Sequence, residues 1–131
     1  ERIENKVKIL LAEDNVINQE FLTVLFTKKG WNITTVSSGK EALEKYQSEV
    51  FDLILMDVEM SEMDGITATK KIRELEKLTN KRIPIIALTA YAMKGDKERC
   101  IKAGMDDYLS KPIIIDDLFK KISIYIGSSV D

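Results

Sequence analysis

The sequence predicts an α/β domain in which a parallel sheet is covered by helices on both faces. The chain has 131 residues, the length of one domain, and 44% of them are hydrophobic, which is typical of a folded protein. Short apolar segments alternate with longer helical ones along the chain, and this alternation favours parallel strands flanked by helices. Because it contains no repeat or linker, the chain is interpreted as one domain over residues 1–131, with a core at about residues 7–126.

The first strand, helix and second strand are predicted from apolar runs and helix-end signals. Residues 7–12 are apolar without alternation, which is typical of a central strand buried on both faces. Asn15 can cap the next helix, which we expect to run to about Lys29 and to end at Gly30. The short β-branched segment 33–36 is the second strand.

The second helix and third strand lead to the first prominent loop. Ser38 and Glu41 have the spacing of a capping box, so a helix is expected to begin there. Residues 51–57 are the most apolar segment and form the third predicted strand. Residues 58–64 are interpreted as a loop, and Asp64 and Gly65 precede the third helix, which carries Ile66, Ile72 and Leu75.

The last two strands and helices complete the predicted fold. Residues 83–88 form the fourth strand, with a proline near its start, where a strand tolerates it. A helix ending at Gly104 precedes the fifth strand, residues 107–110. After Lys111 and Pro112, a final helix carries a periodic apolar face made of Leu118, Ile122 and Ile126.

The composition excludes several classes of function. With 20 Lys and Arg against 22 Asp and Glu, no basic excess favours nucleic acid, and no apolar run approaches the length of a membrane span. One cysteine excludes an internal disulfide and suits a reducing compartment, so we expect a cytoplasmic protein. The chain has no histidine, so it can build no Ser-His-Asp triad, Cys-His pair or histidine-ligated zinc site.

Polar side chains follow four of the predicted strands at their carboxyl ends, where open parallel sheets bind ligands. They are Glu13, Asp14, Asp57, Thr89 and Lys111. Each alone could be a solvated loop residue or a helix cap, but their conjunction indicates a site. Carboxylates packed this closely repel one another unless a cation neutralises them, and oxygen ligands with room for water suit Mg²⁺.

Four motifs in order along the chain resemble the receiver domains of two-component response regulators. They are LLAEDN at 10–15, MDVEM at 56–60 with MDG at 63–65, ALTA at 87–90 and SKP at 110–112. The resemblance implies a flavodoxin-like (βα)5 three-layer sandwich with a five-stranded parallel sheet of order 2-1-3-4-5. Residues 15–19 and 103–108 are most similar to receivers attached to hybrid sensor histidine kinases.

The same resemblance implies a phosphoryl-accepting site. Asp57 would take a phosphoryl group from a phosphohistidine on another domain or protein. Mg²⁺ would be held by Asp14 and Asp57 directly, by the main-chain carbonyl of Glu59, and by Glu13 through water. Lys111 would contact a phosphoryl oxygen as a mobile point charge.

A conformational switch and a tuned phosphoryl lifetime are also implied. Thr89 would bond a phosphoryl oxygen, and the Tyr108 ring would turn into the space that Thr89 leaves. The alternative is that the Tyr108 ring points inward permanently or is simply half-buried on its strand. The Lys111–Pro112 bond resembles the family's cis peptide. We hypothesise slow hydrolysis, because Tyr91 can cover the site and Glu59 adds negative charge; a half-life of seconds would contradict this.

The first helix carries a second apolar stripe that suggests a docking surface. Ile17, Phe21 and Val24 are rotated from the stripe that packs on the sheet, which is made of Leu22, Leu25 and Phe26. Receivers resembling this one dock histidine phosphotransfer partners on the same helix. The alternative is that the second stripe packs against the last helix.

Several alternatives stay open at this stage. A phosphatase of the haloacid dehalogenase type would need a D-x-D pair, which residues 57–59 only imitate, and a degenerate receiver would serve only as a scaffold.

We expect the receiver of a hybrid kinase, with a stand-alone single-domain regulator as the alternative; a start at Glu1 suggests an excised piece. Enzyme status is left open, since the domain would phosphorylate and dephosphorylate only itself, with kinase activity in a parent protein.

The expected partners follow from the same resemblance. They are a sensor histidine kinase, a histidine phosphotransfer domain, or both. We expect no nucleic acid and no direct membrane contact, although the domain could be tethered as part of a membrane-bound kinase. A monomer is the working expectation for the oligomeric state.

Overall fold

The computed structural model describes residues 6–90 and 94–126, in which strands and helices alternate. The strands are β1 (Lys8–Ala12), β2 (Asn32–Val36), β3 (Leu53–Asp57), β4 (Ile85–Thr89) and β5 (Asp107–Ser110). The helices are α1 (Val16–Lys28), α2 (Gly39–Ser48), α3 (Gly65–Glu76), α4 (Lys94–Ala103) and α5 (Ile115–Ile126). Every predicted element is present, and β3 and β4 each begin two residues later than expected.

The strands form one parallel sheet in the order β2-β1-β3-β4-β5, which confirms the predicted fold class. The pairing register brings the carboxyl ends of neighbouring strands to the same edge, which we call the carboxyl edge. The last register pairs along that edge are Ala12 with Met56, Asp57 with Leu88, and Thr89 with Ser110. Side chains that follow four different strands therefore meet there.

Two apolar layers cover the sheet, and they explain why its central strands are apolar without alternation. Alternate residues of β1, β3 and β4 face α2, α3 and α4 on one side of the sheet. The residues between them face α1 and α5 on the other side. No helix of the described residues has both the length and the apolar character that a membrane span requires.

Helix ends follow the sequence signals closely. The Asn15 side chain caps α1, and Gly30 follows that helix with a φ of +84°, which favours glycine. Ser38 accepts the backbone N–H of Glu41 at 3.1 Å, as a capping box requires. The Glu41 carboxylate accepts the N–H of Ser37 at 2.8 Å, one residue earlier than in the standard box.

A carboxylate and lysine cluster at the carboxyl edge

Three carboxylates converge where β1 and β3 end. One oxygen from each of Glu13, Asp14 and Asp57 lies within 4.8 Å of the others. Asp57 is the last residue of β3, and Glu13 follows the neighbouring strand β1 directly. Glu13 and Asp57 are 2% and 1% exposed, whereas Asp14 faces solvent. The cluster therefore has two buried acids and one that is accessible from outside.

Glu13 is held by its backbone and by its side chain. Its N–H donates to the carbonyl oxygen of Val36 at 3.0 Å, and its Oε2 accepts the N–H of Asn15 at 3.0 Å. Its own carbonyl oxygen accepts a hydrogen bond from the side-chain amide of Gln19. Sequence analysis included Gln19 in the segment 15–19 that resembles receivers of hybrid kinases, but it assigned no role to this side chain.

Asp57 lies between a cation and a backbone donor. Its Oδ2 accepts a hydrogen bond from Lys111 Nζ at 2.8 Å, and its Oδ1 accepts the N–H of Glu59 at 3.1 Å. Lys111 Nζ also lies 3.3 Å from Glu13 Oε1, so one ammonium bridges the two buried acids. Gly65 begins α3 so close that a Cβ there would lie 2.2 Å from the Asp57 carbonyl oxygen, and this contact requires glycine.

Burial and charge act against each other in this cluster. Burial raises the pKa of Asp57 from 3.8 to about 6, although the hydrogen bond and charge of Lys111 partly oppose the rise. Burial lowers the pKa of Lys111, but its hydrogen bond to Asp57, with the charges of Asp57 and Glu13, outweighs burial, so the net direction is upward. At neutral pH the pair is therefore an ionised carboxylate and an ammonium.

The donor set of this cluster fits a hard divalent cation. Three carboxylates face one ammonium, which leaves an excess of negative charge, and all the side-chain ligands are oxygens, as Mg²⁺ prefers. An open cleft of ≈ 560 Å³ adjoins Asp14, with room for the waters that Mg²⁺ retains. Its lining consists of Asp14, Val58, Glu59, Met60, Asp64 and Arg99.

The loop after β5 places Lys111 at the cluster beside Thr89. The backbone N–H of Lys111 donates to the carbonyl oxygen of Thr89 at 2.8 Å. The Lys111–Pro112 peptide bond is cis, as the resemblance implied. Thr89 is buried as the last residue of β4, next to the strand that ends in Asp57. Lys111 therefore contacts the carboxylates directly, and Thr89 lies at the same edge of the sheet.

Tyr108 lies on β5, the last strand in the order of the sheet. Its ring is half-buried and contacts two ammonium groups, Lys97 Nζ of α4 at 4.7 Å and Lys121 Nζ of α5 at 5.6 Å from the ring centroid. These cation–π contacts favour the observed ring position. Tyr91, the residue expected to cover the site, lies outside the described residues.

The second stripe of α1 is exposed beside the cluster. Ile17, Phe21 and Val24 are 75%, 52% and 53% exposed, so the stripe does not pack against α5. Phe21 also lines a cavity of ≈ 480 Å³ that reaches the lysine of the cluster. The complete lining is Glu13, Asn18, Phe21, Leu22, Lys111, Pro112 and Ile113. The exposed apolar patch is thus continuous with the carboxylate site.

Comparisons with known proteins give one consistent family. The family model described as the response regulator receiver domain matches residues 9–123. The chain is 46% identical over 129 residues to hybrid signal transduction histidine kinase I of Dictyostelium discoideum, a match covering 95% of this chain and 7% of that kinase. The chain spans between 4% and 16% of the length of this and two other histidine kinases that it matches.

Two solved structures are similar over nearly the whole chain. The receiver domain of sensor histidine kinase PA1611 from Pseudomonas aeruginosa, with a magnesium ion coordinated in its active-site cleft, is 41% identical with a TM-score of 0.85. That match covers 94% of this chain and 99% of the other. The receiver domain of Ssk1 from Saccharomyces cerevisiae, solved with the histidine phosphotransfer protein Ypd1, is 34% identical with a TM-score of 0.86, covering 92% and 88%.

Proposed function

Because this chain belongs to the response regulator receiver domain family and is a receiver of two-component phosphorelay signalling, we propose that Asp57 accepts its phosphoryl group. One observation carries the assignment: Asp57 is a buried carboxylate at a strand end, held by Lys111 and flanked by two further acids. The matched residues 9–123 and the continuous sheet support one receiver domain over residues 1–131.

The proposed step is an in-line transfer from a phosphohistidine. An Asp57 oxygen attacks phosphorus, a P–O bond forms as the donor's P–N bond breaks, and the donor imidazole leaves with the electron pair. Since the chain contains no histidine, the donor lies on another domain or protein. Lys111, now paired with Asp57, can move its ammonium onto a phosphoryl oxygen and offset the charge that arrives.

We assign the magnesium ligands to the same cluster. Asp14 and Asp57 would bind Mg²⁺ directly, with the Glu59 carbonyl oxygen, while Glu13 would act through water. The acidic excess, the cleft beside Asp14 and the magnesium ion in the PA1611 receiver support this assignment. Held by these residues, Mg²⁺ would supply positive charge that offsets the repulsion between the carboxylate and an incoming phosphoryl group.

We further propose that Thr89 and Tyr108 form the switch. The Thr89 hydroxyl would move to bond a phosphoryl oxygen, and the Tyr108 ring would leave its contacts with Lys97 and Lys121 to fill the space. The position of Thr89 beside Asp57 and the half-buried state of Tyr108 support these roles.

A histidine phosphotransfer domain, a sensor histidine kinase, or both are the proposed partners, with the second stripe of α1 as the docking surface. Its exposure, the adjoining cavity that reaches Lys111, and the complex of Ssk1 with Ypd1 support this assignment. The similarity to hybrid kinases favours a parent protein of that class. We propose a monomeric domain in the cytoplasm, with no nucleic acid and no direct membrane contact.

The assignment of Asp57 is tested by labelling with acetyl phosphate and Mg²⁺, followed by mass spectrometry of the intact chain. Wild type should gain one covalent phosphate, and Asp57→Asn should gain none, because it lacks the nucleophile. Asp116→Asn, an exposed acid on α5, is the matched control and should label normally. Retained phosphate on Asp57→Asn would overturn the assignment, and steady turnover of a simple phosphomonoester would favour the phosphatase alternative.

Glu59 and Tyr91 are proposed to lengthen the life of the phosphoryl group. Glu59 is exposed, and its N–H contacts Asp57, so its carboxylate adds negative charge near the path of an attacking water. Glu59→Ala should therefore shorten the half-life of the labelled chain. Decay of the wild-type label within seconds would contradict slow hydrolysis.

A further inference from the structure

The side chain of Gln19 joins the ends of β1 and β2 to helix α1. Its amide nitrogen donates to the carbonyl oxygen of Glu13, and it lies 3.3 Å from the carbonyl oxygen of Val36 and 3.2 Å from Ser37 Oγ. Two of these three neighbours are carbonyl oxygens, which only accept hydrogen bonds. The amide nitrogen must therefore face them, and the orientation of the side chain is fixed by its surroundings.

The bond to Glu13 fixes the peptide unit that leads to Asp14. Glu13 is anchored through its own N–H and both carboxylate oxygens, but Asp14 follows as an exposed residue. Among the described residues, no hydrogen bond or ion pair holds the Asp14 carboxylate. Its direction is therefore set by its backbone, and the Glu13–Asp14 peptide plane is held by the Gln19 amide.

We infer that Gln19 is a positioning residue for the metal site, acting through the Glu13–Asp14 peptide on Asp14, the carboxylate ligand that has no hydrogen-bond or ion-pair partner among the described residues. This inference rests on the proposed function, because it takes Asp14 as a magnesium ligand. A ligand that must be ordered when the ion binds reduces affinity, so a fixed peptide raises affinity before the ion arrives. The hydrogen bonds of the Gln19 amide nitrogen go to Glu13, Val36 and Ser37 and not to Asp57 or Lys111, so Gln19 should not take part in phosphoryl transfer.

The test is a calorimetric titration of the metal-free chain with Mg²⁺ alone. Gln19→Met keeps the length of the side chain but removes both donors, and we expect Mg²⁺ to bind about 10-fold more weakly, at the low end of effects for groups that orient metal ligands. Labelling by acetyl phosphate at saturating Mg²⁺ should stay close to the wild-type rate. This separation of affinity from rate distinguishes positioning from a role in the chemistry.

Stability is controlled with a second variant on the same helix. Leu25→Ala removes apolar packing on the α1 and α5 side of the sheet without touching Gln19, and should bind Mg²⁺ like wild type despite its lower melting temperature. If Gln19→Met fails to fold, Gln19→Glu serves instead, since it keeps the shape but turns a carboxylate toward the two carbonyl oxygens.

The outcomes are distinct. Wild-type affinity for Mg²⁺ in a folded Gln19 variant would overturn the inference and leave the proposed function intact. A loss of Mg²⁺ affinity in Leu25→Ala as large as that in the Gln19 variant would have the same consequence. A wild-type chain that is labelled on Asp57 yet binds no Mg²⁺ would overturn both the metal assignment and this inference.

Discussion

Asp57 combines the two properties that its proposed role requires. It closes a strand in which every residue is buried, so its carboxylate loses most of its hydration, and this raises its pKa to about 6. Lys111 and the N–H of Glu59 compensate for part of that loss and keep the group ionised at neutral pH. The result is a poorly hydrated, correctly oriented anion.

The raised pKa makes a prediction about stability in metal-free protein. A carboxyl whose pKa rises on folding contributes stability below its unfolded value of 3.8, and this contribution is lost as the pH rises through about 6. Asp57→Asn cannot ionise, so its stability relative to wild type should increase by about 1.4 kcal/mol from about pH 5 to about pH 8. Urea unfolding with a chelator present, followed by Trp31 fluorescence, measures the difference.

The control for this experiment is Asp116→Asn, which removes an exposed carboxyl from α5. Its stability difference from wild type, measured over the same pH range, is the reference for the change seen with Asp57→Asn. A difference for Asp57→Asn that is flat, or that shrinks as the pH rises, would contradict burial as the dominant influence on Asp57.

Helix α1 packs against the sheet with one face and exposes another apolar face to solvent. Leu22 and Phe26 are buried against the sheet, and Phe26 contacts the rings of Trp31 and Phe119 at centroid distances of 5.4 and 5.9 Å. Within the described part of the chain, the exposed stripe that includes Phe21 makes no such ring contacts, and it adjoins the site cavity. Exposed apolar patches of this kind are typical of protein interfaces.

Phe21→Ala should slow phosphotransfer from a protein donor by about 10-fold while leaving acetyl phosphate labelling unchanged. The reason is that a large ring at an interface contributes binding energy, whereas a small donor needs no docking. A phosphorylated histidine phosphotransfer domain provides the protein donor, and the transferred label is followed by rapid quench.

Ile124→Ala is the matched control for the docking surface, because Ile124 is an apolar residue of α5 that is 68% exposed. It should accept phosphoryl groups from both donors at the wild-type rate. Equal slowing of both donors by Phe21→Ala would show that the ring supports the fold or the site itself.

At the scale of the whole molecule, the edge of the sheet opposite the site is held by a buried ionic network. The guanidinium of Arg73 on α3 bonds the carbonyl oxygens of Ile83 and Gly104 at 2.8 and 2.9 Å. It also pairs with Glu76 at 2.7 Å and Asp106 at 2.9 Å. One side chain thus connects α3 with the segments that enter β4 and β5.

Arg73→Met should destabilise the chain by about 3 kcal/mol, because two largely buried carboxylates lose their shared cation. This loss of stability is at the lower end of what breaking a buried ion pair costs, because Arg82 still pairs with Asp106 at 2.8 Å. Arg99→Met removes an exposed pair with Asp96 and should cost less than about 1 kcal/mol. Thermal unfolding of the two variants measures the contrast.

Labelling at low temperature should persist in Arg73→Met, since the phosphoryl site lies at the other edge of the sheet. A stability loss no larger than that of Arg99→Met would mean that the network contributes little beyond its packing. Loss of labelling in the folded variant would instead reveal coupling between the two edges.

Local patterns predicted the elements of this fold because they depend on short-range physics. Asn15, Ser38 and Gly30 set helix ends through hydrogen bonds and backbone angles within a few residues. The starts of β3 and β4 were predicted less accurately than the helix ends. Residues such as Phe51 are buried next to the sheet but are not part of a strand. Burial and strand pairing produce the same apolar signal in a sequence.

The sequence by itself determined the alternation of strands and helices, the absence of histidine chemistry, and the carboxylates and lysine that follow the strands. The tertiary structure decided which of these groups touch: the bridge from Lys111 to Asp57 and Glu13, the raised pKa of Asp57, and the hydrogen bonds of Gln19 and Arg73. Spacing along a chain fixes local conformation, whereas contacts such as that between Asp57 and Lys111 depend on the path of the whole chain. Only the packed sheet sets their distance, hydration and charge.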